Sequence, residues 1–182
     1  MRSYGPTGQD DRALGSLTND PIGTLIYGAS FQNNTGFIIT DLDIHYLGEQ
    51  WRRGANTAVG RLYFDYSLDA SSLTDGTETW TNFAGLTFTS PKTGTSSSKL
   101  NGNLGENNDW VEGLIPGLTI LNGDTFWIRY RDLNISGQDH GLAVDNFQLT
   151  PLSSAVPLPA SVLLLASGLI GLIGFRKRVQ RG

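Results

Sequence analysis

The sequence predicts an all-β protein: an antiparallel β-sandwich of the jelly-roll kind, followed by a single C-terminal membrane helix. Three observations predict it. Apolar and polar side chains alternate along run after run up to residue 150. Clusters of Asn, Asp and Gly separate those runs. The chain then closes with an unbroken apolar stretch and a basic cluster. A period of two is that of a strand with one face on a core, and no helical period of convincing length precedes the tail.

Residues 24–32 are the first long strand candidate. Leu42, Ile44 and Tyr46 then alternate with Asp41, Asp43 and His45 in a strand expected to end at Tyr46. Leu62, Phe64 and Tyr66 alternate with Arg61, Tyr63 and Asp65, and residues 78–83, 85–89 and 110–115 are further candidates. Phe126, Ile128 and Tyr130 alternate with Trp127, Arg129 and Arg131, and 142–150 completes the set. Asn33-Asn34-Thr35-Gly36, Asp75-Gly76, Asn101-Gly102 and Asn122-Gly123-Asp124 are turn clusters between runs. About seven to nine strands at this spacing make a sandwich. Residues 1–150 are thus assigned to one β-sandwich ectodomain, 151–155 to a linker, and 156–182 to the tail.

The chain has 182 residues, a net charge of −4, 16% charged residues and no cysteine. One domain with its own core fits this length once the tail is set aside. The absence of cysteine excludes disulfides and thiolate metal sites. With the basic tail removed the ectodomain is more acidic still, which argues against nucleic acid as a partner.

In the tail, Val156-Pro157-Leu158-Pro159-Ala160 precedes the apolar stretch 162–175 and the basic cluster Arg176, Lys177, Arg178. That stretch alone is shorter than the ~20 residues of a typical membrane span, and counting back to Val156 reaches that length. The predicted helix is 161–175, since Pro157 and Pro159 confine regular helix to the residues after them. Basic residues just beyond it place the C-terminus in the cytoplasm and the β-domain outside. These three parts in this order resemble the PEP-CTERM sorting signal of bacteria, in the variant that reads Val-Pro-Leu-Pro-Ala, with Leu158 where the commonest form has Glu. The resemblance implies recognition by an exosortase-type processing enzyme, cleavage near the proline motif, and delivery to the cell envelope or extracellular matrix. Residues 1–12 contain no apolar export segment, so the chain is expected to begin part-way through its domain, with an upstream signal and strand missing, or else to enter the membrane through its C-terminal helix alone.

The ectodomain carries a second resemblance. Asp11-Arg12-Ala13-Leu14-Gly15-Ser16-Leu17, Gly48-Glu49-Gln50-Trp51-Arg52 and the block from Asp139 to Phe147 are similar to blocks of a recurrent module in bacterial secreted proteins. Val144-Asp145-Asn146-Phe147 also resembles the last strand of MAM-type and lectin-like jelly rolls. This supports fold and location and implies no activity.

Three clusters carry candidate chemistry. Glu49, Gln50, Trp51 and Arg52 combine a carboxylate, an amide, an indole and a guanidinium, a set that can stack on a sugar ring and bond its hydroxyls. Alternatively Trp51 plugs the sandwich end while Glu49 pairs with an arginine. Trp127, Arg129 and Arg131 share a strand face suited to an acidic polysaccharide, unless the arginines pair with Asp41, Asp43 or Asp65 across the sheet. Asp132, Asn134, Asp139 and Asp145 offer oxygens for a structural calcium, or else form a hydrogen-bonded turn. An EF-hand is excluded because Ala143 stands where that loop needs Glu.

Nothing points to catalysis. No G-x-S-x-G, H-E-x-x-H or phosphate loop occurs, and His45 and His140 lack a metal-type spacing. Glu49 and Glu112 are the candidates for the carboxylate pair of a glycosidase, with nothing in the sequence to bring them together. The expectation is a non-enzymatic envelope protein, anchored with its β-domain outside or released after processing, that binds or structures exopolysaccharide. The alternatives are a structural spacer of a larger surface protein and a small glycan-active enzyme.

Overall fold

The computed structural model describes residues 1–74, 76 and 79–153. The sorting motif Val156–Ala160, the helix 161–175 and Arg176, Lys177 and Arg178 lie outside them, as do Asp75 and Glu78. Among the described residues eleven strands form: β1 (Arg2–Tyr4), β2 (Ala13–Ser16), β3 (Leu25–Gln32), β4 (Asp41–Arg53), β5 (Arg61–Ser67), β6 (Thr81–Asn82), β7 (Phe88–Thr89), β8 (Ser98–Lys99), β9 (Asn108–Ile115), β10 (Thr125–Asp132) and β11 (Gly141–Leu152). A short 3-10 turn, Ala84–Leu86, precedes β7. Among the described residues no helix is long and apolar enough to cross a membrane.

The strands make two antiparallel sheets. The larger runs β1-β2-β11-β4-β8, with β9 on the same side of β4 as β8; the smaller runs β3-β10-β5-β6, with β7 also on β5. β11 reaches Leu152, two residues past the expected end of the sandwich, where the Leu152 carbonyl accepts the Thr40 N–H.

The predicted alternation builds the core between the sheets. Leu42, Ile44, Tyr46, Leu62 and Phe64 are fully buried, with Phe126, Ile128 and Tyr130 nearly so. Tyr130 lies at the centre. Its ring meets Tyr46 and Phe64 edge-on at 5.3 and 5.5 Å and stacks on Tyr27 at 5.5 Å. The Tyr46 hydroxyl donates to the Leu86 carbonyl at 2.7 Å, so this deep phenol is not left unpaired. Gly48 continues the inward row of β4 without a side chain because Phe88 lies across it. A Cβ there would come within 2.2 Å of that ring.

Alternation breaks at residues 48–50 of β4, all three buried and followed by a register shift against β11, and again within β11. Val144 faces inward and Asp145 outward, but Phe147 and Leu149 face inward again. The register against β4 jumps between Asp145 and Gln148, and Asn146 takes a φ of 49°. One extra residue in a bulge restores the apolar phase, and Asn is among the few residue types that tolerate the left-handed region.

Truncating the core should therefore cost far more than truncating the outer surface. Phe64→Ala is expected to destabilise by about 3–5 kcal/mol, and Leu114→Ala, 48% exposed on β9, by under about 0.5 kcal/mol. Denaturant titration of both variants measures the difference.

Candidate functional site

The segment around Trp51 is strand, not loop. β4 does not end at Tyr46 but continues to Arg53, because β11 pairs along it as far as Arg52 and β8 pairs with Arg52 and Arg53. Its side chains bond within the domain. Glu49, 1% exposed, accepts the Trp51 indole N–H at 2.7 Å. Burial raises its carboxyl above the usual range, the Trp51 bond opposing. The indole stacks on Tyr4 at 6.0 Å and 12°, and its edge meets Gly102, where a Cβ would approach Nε1 to 2.4 Å. Fully buried Gln50 accepts the Lys92 N–H and donates to the Lys92 carbonyl. Arg52 donates to the Asp139 carbonyl at 2.7 Å and to Gln138 Oε1 at 3.0 Å, rather than pairing with Glu49.

On β10, Trp127, Arg129 and Arg131 do share the face opposite the core. Both arginines converge on Asp65, whose side chain is 2% exposed: Arg129 Nε lies 3.0 Å from Oδ2, Arg131 Nη2 lies 3.1 Å from Oδ1, and Arg131 Nε also donates to Oδ2. Asn82 adds a bond to Asp65 at 3.0 Å. Trp80 lies 3.8 Å over the Arg129 guanidinium, and the Leu73 carbonyl accepts Arg129 Nη1. Trp80 and Leu73 thus cover Arg129, and Asp65 holds both arginines, which leaves them little reach for an outside carboxylate. Burial alone would raise Asp65, but the bonds from Arg131, Asn82 and Arg129 outweigh it and hold the carboxyl below its ordinary range.

The four oxygen-bearing residues proposed for calcium separate into two places. Asp132, Asn134 and Asp139 sit at the end of β10 and in the loop to β11. Asp145 lies on β11 opposite Leu47, accepting the Asn146 N–H, near enough to Glu49 to influence it. Among the described residues no three His, Asp or Glu side chains converge as a metal cluster. Asp132, 3% exposed, accepts the Ser16 hydroxyl at 2.6 Å; burial raises its carboxyl to about 6, Ser16 opposing and Asp139 adding.

The remaining titratable candidates do not form a catalytic pair. Glu49 and Glu112 stand four positions apart along the β4–β9 ladder, opposite Asn108 and His45 respectively. At ~3.4 Å per residue that is roughly 13 Å, beyond the ~5–9.5 Å of glycosidase carboxylates. His140 is buried, its Nε2 facing the Ala58 carbonyl at 3.0 Å and its Nδ1 accepting the Gly54 N–H at 3.0 Å.

Sequence reasoning passed over Trp110, reading it only as the start of a strand. On β9 its indole points away from the core and is 50% exposed. The ladders place Leu47 and Asp145 beside it, then Glu112, His45 and Gln148 in the next row, and Leu114, Asp43 and Thr150 in the one after. His45 lies 2.9 Å from Asp43 and 3.5 Å from Glu112. The Asp43 hydrogen bond raises its imidazole, Glu112 adding. An outward Trp among polar partners was legible from the period-two phase of 110–115, since Val111 and Ile115 supply the inward row.

Removal of the shared carboxylate should expose the charges it neutralises. Asp65→Asn is expected to destabilise the domain by about 3 kcal/mol, the cost of uncompensated buried charge. Because Asp65 is depressed in the folded state, its contribution is full above the unfolded carboxylate value of ~3.9 and is lost as pH falls below it. Urea melts from pH 6 to pH 2.5 should show a steeper acid loss for the parent than for Asp65→Asn.

No curated protein matches the chain in sequence. Two solved structures are similar at low level. The TmCBM61 module in complex with β-1,4-galactotriose shares 10% identity over 80% of this chain and 74% of its own, with a TM-score of 0.39. A family 16 carbohydrate-binding module shares 11% over 81% and 79%, with a TM-score of 0.35. The family comparison concerns the tail: residues 155–178 match the PEP-CTERM protein-sorting motif, so the chain carries at its C-terminus the sorting signal of a secreted, envelope-sorted protein.

Proposed function

We propose that this is a non-catalytic envelope protein whose β-sandwich binds neutral polysaccharide on the outer face of the larger sheet. The observation that carries the reading is Trp110, a half-exposed indole on a flat face, next to Glu112, His45, Asp43, Asp145 and Gln148. An aromatic plane takes the apolar side of a sugar ring, and carboxylate, imidazole and amide groups bond its hydroxyls. The Trp51 and Trp127/Arg129 clusters fit this role less well, since Tyr4 and Asp65 already hold their groups. An acidic polymer is disfavoured too. The exposed face carries Asp43, Glu112 and Asp145, while Arg129 and Arg131 are spent on Asp65.

The tail supports display outside the cell. In this reading exosortase-type processing acts at Val156–Ala160, and the apolar helix 161–175 with Arg176, Lys177 and Arg178 holds the chain in the membrane until then. Deletion of 161–182 should move the protein from the membrane to the soluble fraction; an unchanged distribution would refute the anchor.

Affinity electrophoresis through gels containing neutral glucan, galactan or mannan tests the face. Retardation on at least one neutral polymer is expected, weak or absent on polygalacturonate, and lost at least tenfold in Trp110→Ala without a change in melting temperature. Retardation that survives in Trp110→Ala, or none on any neutral polymer, overturns the reading and leaves a structural spacer.

A further inference from the structure

The outer edge of β9 faces a gap. Among the described residues β9 pairs with β4 and with no other strand. Residues 85–89 run beside that edge without pairing to it, and β7 within them pairs with β5 instead. Leu86 lies beside Gly113, where a Cβ would come within 3.0 Å of it. Phe88 covers Gly48, which faces Asp109 in the β4–β9 ladder. The segment is therefore antiparallel to β9 and anchored by two core side chains. Between the two backbones lies a cleft of about 300 Å³, with Gly85, Thr87 and Thr89 on one wall and Asp109, Trp110 and Glu112 on the other. It begins at Trp110 and leads away from β4.

The polar groups along this cleft are uncommitted. Thr87 Oγ1 is buried without a hydrogen-bond partner, so rotating it about χ1 toward the cleft gives up no bond. Among the described residues the exposed side chains of Thr89 and Asp109 make no hydrogen bond within the protein. On the other side of Trp110 the groups are engaged in part: Asp43 holds His45 at 2.9 Å, and Asp145 accepts the Asn146 N–H at 2.7 Å. Among the described residues no lysine or arginine lines the cleft, while Asp109 and Glu112 do. Its occupant must therefore donate hydroxyls and carry no negative charge. Its volume is at the lower end of the ~300–1,000 Å³ of small-molecule sites, room for a single sugar residue.

We propose that this cleft is a second sugar subsite. A neutral polysaccharide seated on Trp110 crosses the edge of β9 and places its next residue against Thr87, Thr89 and Asp109. The inference rests on the polysaccharide reading of Trp110 and adds the direction in which the polymer runs. Trp110 takes the apolar side of one ring. Asp109 accepts hydroxyls of the next, and the two threonines donate to or accept from it. The polymer lies across the strands rather than along β9 toward Leu114, and two adjacent sugars are read instead of one.

The test is affinity electrophoresis of the full chain on whichever neutral glucan, galactan or mannan gel retards the parent. Thr89→Val and Asp109→Asn should each weaken retention about fivefold, the loss of one hydrogen bond, with the melting temperature unchanged. Thr87→Val should weaken it by a similar factor while keeping or raising the melting temperature, since its hydroxyl bonds nothing in the free protein. Leu114→Ala should match the parent. Calorimetric titration with the mono- and disaccharide of the same polymer should show a gain of about tenfold or more for the second residue, lost in the Thr89→Val, Asp109→Asn double variant. Retention abolished by Trp110→Ala but untouched in all three cleft variants would overturn the subsite and leave the Trp110 reading standing. Loss in Leu114→Ala with the cleft variants unaffected would run the polymer along β9 and overturn it as well. No retardation of the parent on any neutral polymer would overturn both.

Discussion

The alternation of side chains along residues 41–48 of β4 is the constraint on which the two faces of this protein depend. β4 is paired with β11 on one side and with β8 and β9 on the other, so both of its faces are fixed by neighbours. One phase of the strand puts Leu42, Ile44 and Tyr46 into the core, where Tyr130 meets Tyr46. The other phase puts Asp43, His45 and Leu47 on the outside, beside Leu114, Glu112 and Trp110. A slip of one residue would exchange the two sets, exposing the core row and burying charges. The polar outer face is therefore placed by the same register that packs the interior.

Charge is distributed in a way that composition alone does not reveal. The smaller sheet hides a cluster in which one carboxylate, Asp65, holds two arginines, Arg129 against Trp80 and the Leu73 carbonyl and Arg131 over Tyr63. The larger sheet leaves Asp43 and Glu112 on its outer face with the imidazole of His45 between them. An acidic exposed face and a self-neutralised basic one are the reason the proposed partner is a neutral sugar polymer, although the arginines looked like the binding groups in sequence.

Much of the fold was legible because it rests on period two. The runs at 42–46, 62–66 and 126–130 face as expected, and their inward residues make the core. The extension of β4 past Tyr46 was not legible, since Gly48-Glu49-Gln50-Trp51 has the composition of a loop. Only pairing with β11, distant in sequence, makes it strand. Residues 78–83 shrink to the two-residue β6 among the described residues. At the site level, residue type alone did not show which groups the fold engages internally. Trp51 and the arginines have the chemistry of a binding site, yet Tyr4, Gly102 and Asp65 occupy them, and those contacts span long stretches of sequence. Trp110 had the right phase and stands between Asp109 and Glu112 in the chain; its other partners lie on β4 and β11, distant in sequence.

The central claim is that, of the four tryptophans, Trp110 alone meets the polysaccharide. Four indole N–H signals can be followed by NMR in the nitrogen-15 labelled protein while a soluble neutral glycan retained in the gel assay is titrated in. A saturable shift of the Trp110 signal is expected, with those of Trp51, Trp80 and Trp127 unmoved. A shift confined to Trp51 or Trp127, with Trp110 unchanged, would contradict the claim.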